Sequence, residues 1–214
     1  AASIHALRPT PAVAFRERDW VVAGSLANLT GDSRFDAGLD VALRMAMEQS
    51  RHVNVLPDLR VRDALARMGR APDTPIDRAT GSEIALREGA RVVLLPSLAE
   101  SGGRLRYSLE VVEPGSGATV MVESAEGLGA ESALASLGTV VAIVRRQLGE
   151  TLGSIRDSNE PVPQVTSRSL DALRAYSLAQ QSFARIELPL ADSHYRNALA
   201  LDPEFALALV GLSR

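Results

Sequence analysis

An apolar segment, a polar turn and an amphipathic helix follow one another between Arg18 and Ser50, and this succession restricts the fold more than any other feature of the chain. The apolar segment, residues 20–26, shows no clear alternation and contains two adjacent valines. This pattern is typical of a strand that is covered on both faces, as in α/β sheets. Apolar residues then recur on one broad helical face through residues 37–47, which predicts a helix.

The turn between strand and helix contains residues with specific backbone roles. Asn28 and Asp32 can hydrogen-bond their own backbone, and Gly31 permits a positive φ. Asp36 is predicted to cap the helix or to lie in its first turn, where the macrodipole favours an acid. A strand, a polar turn and a helix N-terminus in succession can bind an anion. The alternative interpretation of this segment is a well-capped helix without a ligand. The candidate ligand-binding residues are Asn28, Thr30, Gly31, Asp32 and Asp36.

Strands and helices continue to about residue 155. Alternating apolar and polar residues predict a half-exposed antiparallel strand at residues 105–111. The other predicted strands are residues 53–56, 91–99 and 118–124, and the predicted helices are residues 59–68, 77–88 and 130–152. Gly89 is expected to end the second of these helices, and Arg145 and Arg146 to complement the dipole at the end of the third. The sequence therefore predicts an α/β fold with a mixed sheet of about five strands, in the order β-α-β-α-α-β-β-β-α, flanked by helices.

Composition divides the chain into four parts. Residues 1–17 show no periodicity and are expected to form a tether. Residues 18–155 are the predicted α/β domain. Residues 156–166 have the composition of a linker, and residues 167–214 show only helical spacing.

The helical tail has the spacing of a tetratricopeptide unit, a helical hairpin that repeats about every 34 residues. Small residues let the two helices of such a unit approach closely, and an aromatic side chain fills the space between them. The unit is degenerate, because Ala175 and Ser182 stand where Trp and Tyr are usual. A second unit is predicted to begin at about Ala206, and the alternative is a generic helical hairpin. The predicted repeat-packing residues are Leu178, Ala179, Ala191, Tyr195, Ala198 and Pro203.

Composition excludes several kinds of site. The formal net charge is −3, which argues against nucleic acid as a partner. The chain contains no lysine and no cysteine, so Schiff-base, thiol and disulfide chemistry have no residue to use. It has no run of about 18 apolar residues, so none of its segments is predicted to insert into a membrane.

The sequence shows no catalytic or cofactor-binding constellation. His5, His52 and His194 are far apart, and a metal site would require their convergence with carboxylates, so we predict none. Asp36 and Asp40 lie four residues apart, but without a third partner we expect solvated first-turn acids rather than general acid–base catalysis. The chain is therefore predicted to be non-enzymatic and to need no cofactor.

Four segments together resemble the TolB-like (FlgO/CsgG-related) N-terminal-type domain: residues 18–30, 35–50, 53–68 and 82–98. The motifs that carry the resemblance are Asn28-Leu29-Thr30-Gly31-Asp32, Phe35-Asp36-Ala37-Gly38-Leu39 and Val53-Asn54-Val55-Leu56-Pro57. The family pattern is an apolar strand, N-L-[ST]-G-D, [FA]-x-x-G-L, a helix and V-x-V-x-[PR]. The resemblance spans nearly the whole chain. It implies tetratricopeptide repeats directly after the domain, as in many bacterial proteins of this kind.

The same arrangement is similar to bacterial serine/threonine kinases and class III nucleotide cyclases, including cyclases of peptide-modification systems. Because the kinase and cyclase catalytic residues are absent here, the resemblance implies a non-catalytic sensory segment of a larger signalling protein. Family analogy favours a location outside the cytoplasm, and the alternative is a cytoplasmic location. It also implies a protein or peptide partner bound through the repeats, and a homodimer is a further expectation. We expect the tail to continue in a longer protein, or to dock on the α/β domain or on another copy. The alternative function is a small-ligand-binding domain that uses the polar turn.

Overall fold

The structure is a computed structural model that describes residues 15, 18–36, 38–158, 160–162 and 166–213. Its strands are β1 (Asp19–Ala23), β2 (Ala27–Asn28), β3 (Val53–Val55), β4 (Val92–Ser101), β5 (Arg104–Val112) and β6 (Thr119–Leu128). They form one sheet in the order β3-β1-β4-β5-β6, with β2 also beside β4. The predicted tether, residues 1–17, lies outside the described residues except for Phe15, which packs against the core.

Parallel and antiparallel pairing divide the sheet into two halves. β1 is parallel to both of its neighbours, so Val21 lies beside Val55 of β3 and beside Val92 of β4. β4, β5 and β6 form an antiparallel meander. The predicted α/β fold with a mixed sheet is therefore confirmed.

The strand predicted at residues 20–26 is interrupted at Gly24. The Gly24 N–H still donates to the Leu94 carbonyl oxygen at 2.7 Å. Ser25 instead pairs with Ile76, accepting the Ile76 N–H on Oγ at 2.9 Å and donating its own N–H to the Ile76 oxygen at 3.0 Å. A Cβ at Gly24 would lie 2.9 Å from the carbonyl oxygens of both Ile76 and Leu94, so glycine is required. After this interruption, β2 resumes the parallel pairing with β4.

Helices cover both faces of this sheet. Within the described residues they are α1 (Gly38–Glu48), α2 (Asp58–Arg67), α3 (Arg78–Glu88), α4 (Ser132–Gln147), α5 (Leu152–Ser158), α6 (Leu170–Ala184), α7 (Leu188–Leu201) and α8 (Ala206–Leu212). A 3-10 helix, Ser33–Phe35, precedes α1. Asp77 caps α3 by accepting the Thr80 N–H at 2.8 Å. Gly89 ends the helix with a φ of 72°, as predicted.

Two apolar clusters lie on opposite faces of the sheet. α1, α4 and the C-terminal helices pack on the face that carries Val21, and α2 and α3 pack on the face that carries Val22. Both valines are fully buried. β1 is therefore covered on both faces, as its continuous apolar sequence predicts.

The helix predicted at residues 130–152 is shorter than expected. α4 ends at Gln147, and Gly149 has a φ of 109°, which lets the chain turn back. Glu150 then meets Arg145, whose Nε and Nη2 donate to the carboxylate at 2.8 and 2.9 Å. Arg145 lies in the last turn of α4, as predicted. The sequence does not predict that Glu150 is its buried partner.

The C-terminal helices α6, α7 and α8, here called the helical platform, dock on α1. The contact is close at Gly38, where an added Cβ would lie 3.4 Å from both Arg174 N and Leu173 Cβ. Leu173 is fully buried in the cluster that also contains Leu39 and Leu43 of α1. The platform therefore shares a core with the α/β sheet.

The predicted linker, residues 156–166, is partly structured. α5 extends through its first residues to Ser158. Val162 is 4% exposed and lies against α4, where a Cβ added at Gly138 would be 3.3 Å from its Cγ2. Residues 159 and 163–165 lie outside the described part of the chain, and the domain boundaries stay a prediction.

Candidate functional site

The polar turn around β2 is closed by its own hydrogen bonds. Asn28 Oδ1 accepts from Thr30 N at 3.1 Å and from Thr30 Oγ1 at 2.7 Å. The Asn28 amide donates to the Asp32 carbonyl oxygen at 2.9 Å and to Asp36 Oδ1 at 2.7 Å. Gly31 has a φ of 77°, as predicted for this position. The structure thus brings the five candidate ligand residues together in one turn.

Asp36 does not cap α1, so the expectation that it would be the N-cap or a first-turn acid is wrong. A 3-10 turn separates the strand from the helix, and Asp36 ends that turn by donating its N–H to the Ser33 carbonyl oxygen. Asp32 caps the 3-10 turn instead and pairs with Arg34 at 2.6 Å, a contact that lowers the pKa of Asp32. The acid in the first turn of α1 is Asp40.

The internal bonding of the turn decides what it can offer to a ligand. The polar atoms of Asn28 and the hydroxyl of Thr30 are engaged within the turn, and Asp32 is occupied by Arg34. None of the five residues lines either of two cavities of about 600 and 640 Å³ in the described part of the chain. Ligand binding by the turn stays a prediction.

A crevice of about 600 Å³ opens where β1 ends. Gly24 and Ser25 form its floor, α1 and α2 its two sides, and α6 its roof. Its aromatic lining is Tyr176 and Phe183, and its charged lining is Asp40, Arg44, Glu48, Asp58, Arg62, Asp73 and Arg185. The volume is in the range of sites that bind small molecules.

The connections of the sheet explain why a crevice forms there. After β1 the chain passes to α1 on one face of the sheet, and after β3 it passes to α2 on the opposite face. β1 and β3 are adjacent and parallel, and the connections that follow their carboxyl ends run to opposite faces of the sheet, which leaves a gap between the two helical layers. Open α/β sheets bind ligands at this kind of topological switch point.

Several charges in the crevice are already paired. Arg44 binds Asp58 at 2.6 Å and donates to the Leu56 carbonyl oxygen at 3.0 Å. Arg185 binds Asp73 at 3.0 Å, which joins α6 to the loop before α3. Asp40 and Glu48 form no ion pair with any described residue. The crevice thus presents two carboxylates without a bound cation.

Burial changes the acidity of both carboxylates. Desolvation raises the pKa of Asp40 to about 6, against the opposing hydrogen bond from Leu26 N to Asp40 Oδ1 at 2.7 Å. Desolvation also raises the pKa of Glu48. The expectation that Asp40 is a solvated acid is therefore wrong: the chain that leads into β2 closes over it. Sequence spacing could not show this, because Leu26 and Asp40 belong to different elements.

The predicted repeat-packing residues occupy the interior of the helical platform with two exceptions. Ala179, Ala191, Tyr195 and Ala198 are each at most 2% exposed. Leu178 is half-buried and Pro203 is exposed. The Tyr195 ring packs against the Tyr176 ring, with centroids 5.9 Å apart, and a second contact of 5.0 Å joins Tyr176 to Phe205.

The helix predicted from about Ala206 begins at Ala206 and packs on the same aromatic cluster. Gly211 of this helix lies so close to the Tyr195 ring that an added Cβ would overlap ring atoms. Small residues and one aromatic wedge therefore set the spacing of all three platform helices.

Exposed apolar side chains concentrate on this platform. Thirteen large apolar residues are exposed in the described chain, and seven of them lie between residues 183 and 210. The seven are Phe183, Ile186, Leu188, Leu190, Leu201, Leu209 and Val210. The remaining six are distributed over some 120 residues of the α/β domain, from Leu29 to Leu152. Concentrated apolar exposure of this kind marks interaction surfaces in soluble proteins.

A second cavity of about 640 Å³ lies between the 3-10 helix, the start of α4 and the start of α6. It is lined by charges of both signs, including Arg34, Glu131, Arg168 and Asp171. Arg34 is engaged by Asp32 at 2.6 Å.

In the described residues no group of three or more His, Asp or Glu side chains is placed to hold a metal ion. His52 lies beside Gly149, with an added Cβ there 3.1 Å from Nε2, and His5 lies outside the described residues. No helix in the described part of the chain has the length and apolar character needed to cross a bilayer.

Fold and crevice together define a mixed α/β domain with an attached helical platform. No family model matches the chain, and no curated protein matches it. Solved structures that it is similar to include the C-terminal domain of LpoB from Salmonella enterica, 17% identical, covering 53% of this chain and 84% of that chain, with a TM-score of 0.48. The PelC dodecamer from Paraburkholderia phytofirmans is 18% identical, with 67% and 96% covered and a TM-score of 0.42. TolB from Acinetobacter baumannii is 10% identical, with 64% and 30% covered and a TM-score of 0.42. At these identities and scores the likeness carries no argument about what this chain does.

Proposed function

We propose that this chain is a non-catalytic protein-interaction segment, in which a TolB-like α/β domain carries a tetratricopeptide-type platform that binds a protein or peptide partner. The observation that carries the proposal is the concentration of exposed apolar side chains on the platform. Leu188 is 54% exposed, Leu190 is 47% exposed and Leu209 is 52% exposed, and all three lie on α7 and α8.

The internal packing of the platform supports this role. Ala179 and Ala198 let α6 and α7 approach closely, and Tyr195 fills the space between them. A rigid helical pair of this kind presents its outer side chains in a fixed arrangement, which lowers the entropic cost of binding a partner. Apolar residues that contribute nothing to the internal core, such as Leu188 and Leu190, are then available for the partner.

The docking of the platform on α1 supports a coupling role. Gly38 and Leu173 bring α1 and α6 into direct contact, and Arg185 joins α6 to Asp73 near α3. A partner bound to α7 or α8 would therefore act on the α/β domain through packed helices. The finer part of the proposal follows the family resemblance: a sensory segment of a bacterial kinase or cyclase, located outside the cytoplasm and able to form a homodimer.

Selection of peptides from a displayed random library against the purified chain tests the interaction. Peptides that bind should contain apolar side chains, and their affinity should fall at least about tenfold, or about 1.4 kcal/mol, in the double variant Leu188→Ser and Leu190→Ser. Leu86→Ser is the matched control, because Leu86 is 63% exposed on α3 and lies outside the platform. Failure to enrich any peptide, or equal loss of affinity in the control, would contradict the proposal.

A further inference from the structure

The crevice at the end of β1 has the form of a built binding site, although nothing in the proposed function requires it. It has a volume of about 600 Å³, and it combines an apolar wall with a few charged groups. It also coincides with the topological switch point between β1 and β3. Two independent features, the cavity and the strand order, therefore indicate the same place.

We propose that this crevice binds a small organic cation, with a protonated amine or guanidinium at Asp40 and an apolar body against Tyr176 and Phe183. The charge of the ligand follows from the pairing of the lining. Arg44 and Arg185 are neutralised by Asp58 and Asp73, which leaves two carboxylates, Asp40 and Glu48, against one arginine, Arg62. Asp40 and Glu48 form no ion pair in the described chain, and desolvation outweighs the attraction of Arg44, which acts on both of them. An incoming cation would therefore compensate carboxylates that burial disfavours.

Asp40 is held in position for this contact. Leu26 N–H donates to Oδ1 at 2.7 Å, which fixes one carboxylate oxygen and leaves Oδ2 for a ligand. Asp40 lies in the first turn of α1, directly beside the floor formed by Gly24 and Ser25. Glu48 lies at the other end of the same helix, about 12 Å further along its axis. A small cation would thus contact Asp40 first, with Glu48 contributing a longer-range attraction.

The roof of the crevice gives binding a structural consequence. Tyr176, Ser177 and Phe183 belong to α6, and Leu207 belongs to α8. A ligand in the crevice would therefore touch the α/β domain and the helical platform together. Occupancy is expected to stabilise their docking.

Isothermal titration calorimetry with benzamidine and with phenethylamine tests the inference, with benzamide as the uncharged isostere of benzamidine and benzoate as the anionic control. Benzamidine and phenethylamine should bind saturably and at least about tenfold more tightly than benzamide or benzoate, a difference of about 1.4 kcal/mol. The variant Asp40→Asn should abolish this preference, because the amide oxygen can still accept from Leu26 N while the charge is removed. Glu48→Gln should reduce it by a smaller factor, and Glu126→Gln on β6 should leave it unchanged.

The pH dependence supplies a second readout. The charged and titratable groups near Asp40 are Arg44, Asp36 and, on β5, Tyr107. Affinity for benzamidine should fall as the pH decreases through about 6 in the unmodified chain, since protonated Asp40 carries no charge. The fall should be smaller in Asp40→Asn, where Glu48 is the remaining carboxylate with a raised pKa. No saturable binding of either cation, equal affinity for benzamide, or full affinity in Asp40→Asn would overturn the inference. Peptide binding by the platform is measured separately with Leu188→Ser and Leu190→Ser, so the two proposals can fail independently.

Discussion

Arg145 and Glu150 form a two-point ion pair at the end of α4 in which neither side chain is more than 1% exposed. Glu150 also accepts from Ser50 Oγ at 2.6 Å and from Ser154 Oγ at 2.9 Å. Ser50 Oγ in turn accepts the His52 N–H at 3.1 Å. This network ties the end of α4 to the connection between α1 and β3.

Glu150→Gln is expected to destabilise the fold by about 3–5 kcal/mol, because it leaves the Arg145 guanidinium buried without a counter-charge. Urea unfolding followed by circular dichroism measures the change. Glu126→Gln is the matched control: it breaks the exposed pair with Arg106 and should cost less than about 1 kcal/mol. A similar decrease in the free energy of unfolding in the two variants would contradict a larger contribution from the buried Arg145–Glu150 pair.

The same pair predicts how stability responds to acid. Burial opposes ionisation, but hydrogen bonds from Arg145, Ser50 and Ser154 hold the pKa of Glu150 at about 2, below its ordinary value of 4.5. A carboxylate with a lowered pKa stabilises the fold above its unfolded pKa and loses that contribution as the pH falls through the folded pKa. The difference in unfolding free energy between the unmodified chain and Glu150→Gln should therefore be constant above pH 4.5 and decrease towards pH 2.

Asp40→Asn should stabilise the protein at neutral pH. The folded state raises the pKa of Asp40 from 3.8 to about 6, so its ionised form opposes folding above pH 6, and the penalty disappears below pH 3.8. The gain at pH 8 should be on the order of 2–3 kcal/mol, since each pKa unit is worth about 1.4 kcal/mol. Thermal melts at pH 8 and at pH 3.5 measure it. A stabilisation that is equal at both pH values would contradict the buried environment assigned to the Asp40 carboxyl.

Gly211→Ala is expected to separate α8 from the rest of the platform. The added methyl group would overlap the Tyr195 ring, which is 2% exposed and held against Tyr176, so it has no room to move. The expected cost is about 1–3 kcal/mol in the free energy of unfolding. Gly153→Ala in α5 is the control, since its methyl group would meet nothing closer than Thr151 Oγ1 at 4.0 Å. Unchanged stability in Gly211→Ala would mean that α8 does not pack as described.

A peptide of residues 165–214 should not fold alone. Ala172 and Leu173 are fully buried against the α/β domain, and the isolated peptide would expose them together with its outer apolar residues. Circular dichroism should show low helicity and no cooperative transition. A cooperative melt would indicate that the platform is an independent domain.

Much of the secondary structure could be predicted because local chemistry determines it. The turn residue Gly31 and the terminator Gly89 act within a few residues, and each has the backbone conformation predicted for it. The alternation in residues 104–112 and the continuous apolar sequence of β1 likewise reflect the faces that each strand buries.

The crevice and the buried ion pair could not be predicted, because they depend on residues that are distant in sequence or on a turn of unusual geometry. Asp40 becomes buried only when the chain at Leu26 passes over it. α4 ends early because Gly149 adopts a positive φ and returns Glu150 to Arg145. The position of Arg145 within the apolar sequence 140–148 is the feature that indicates a buried arginine, which requires a buried acidic partner.

Amide hydrogen exchange with and without a selected peptide tests the central claim most directly, because it locates the partner surface on the intact chain. We predict increased protection within residues 183–212, which carry the exposed apolar side chains, and unchanged exchange in the polar turn at residues 28–36. Protection confined to the polar turn or to the sheet, with none on α7 or α8, would contradict an interaction platform and favour the small-ligand alternative.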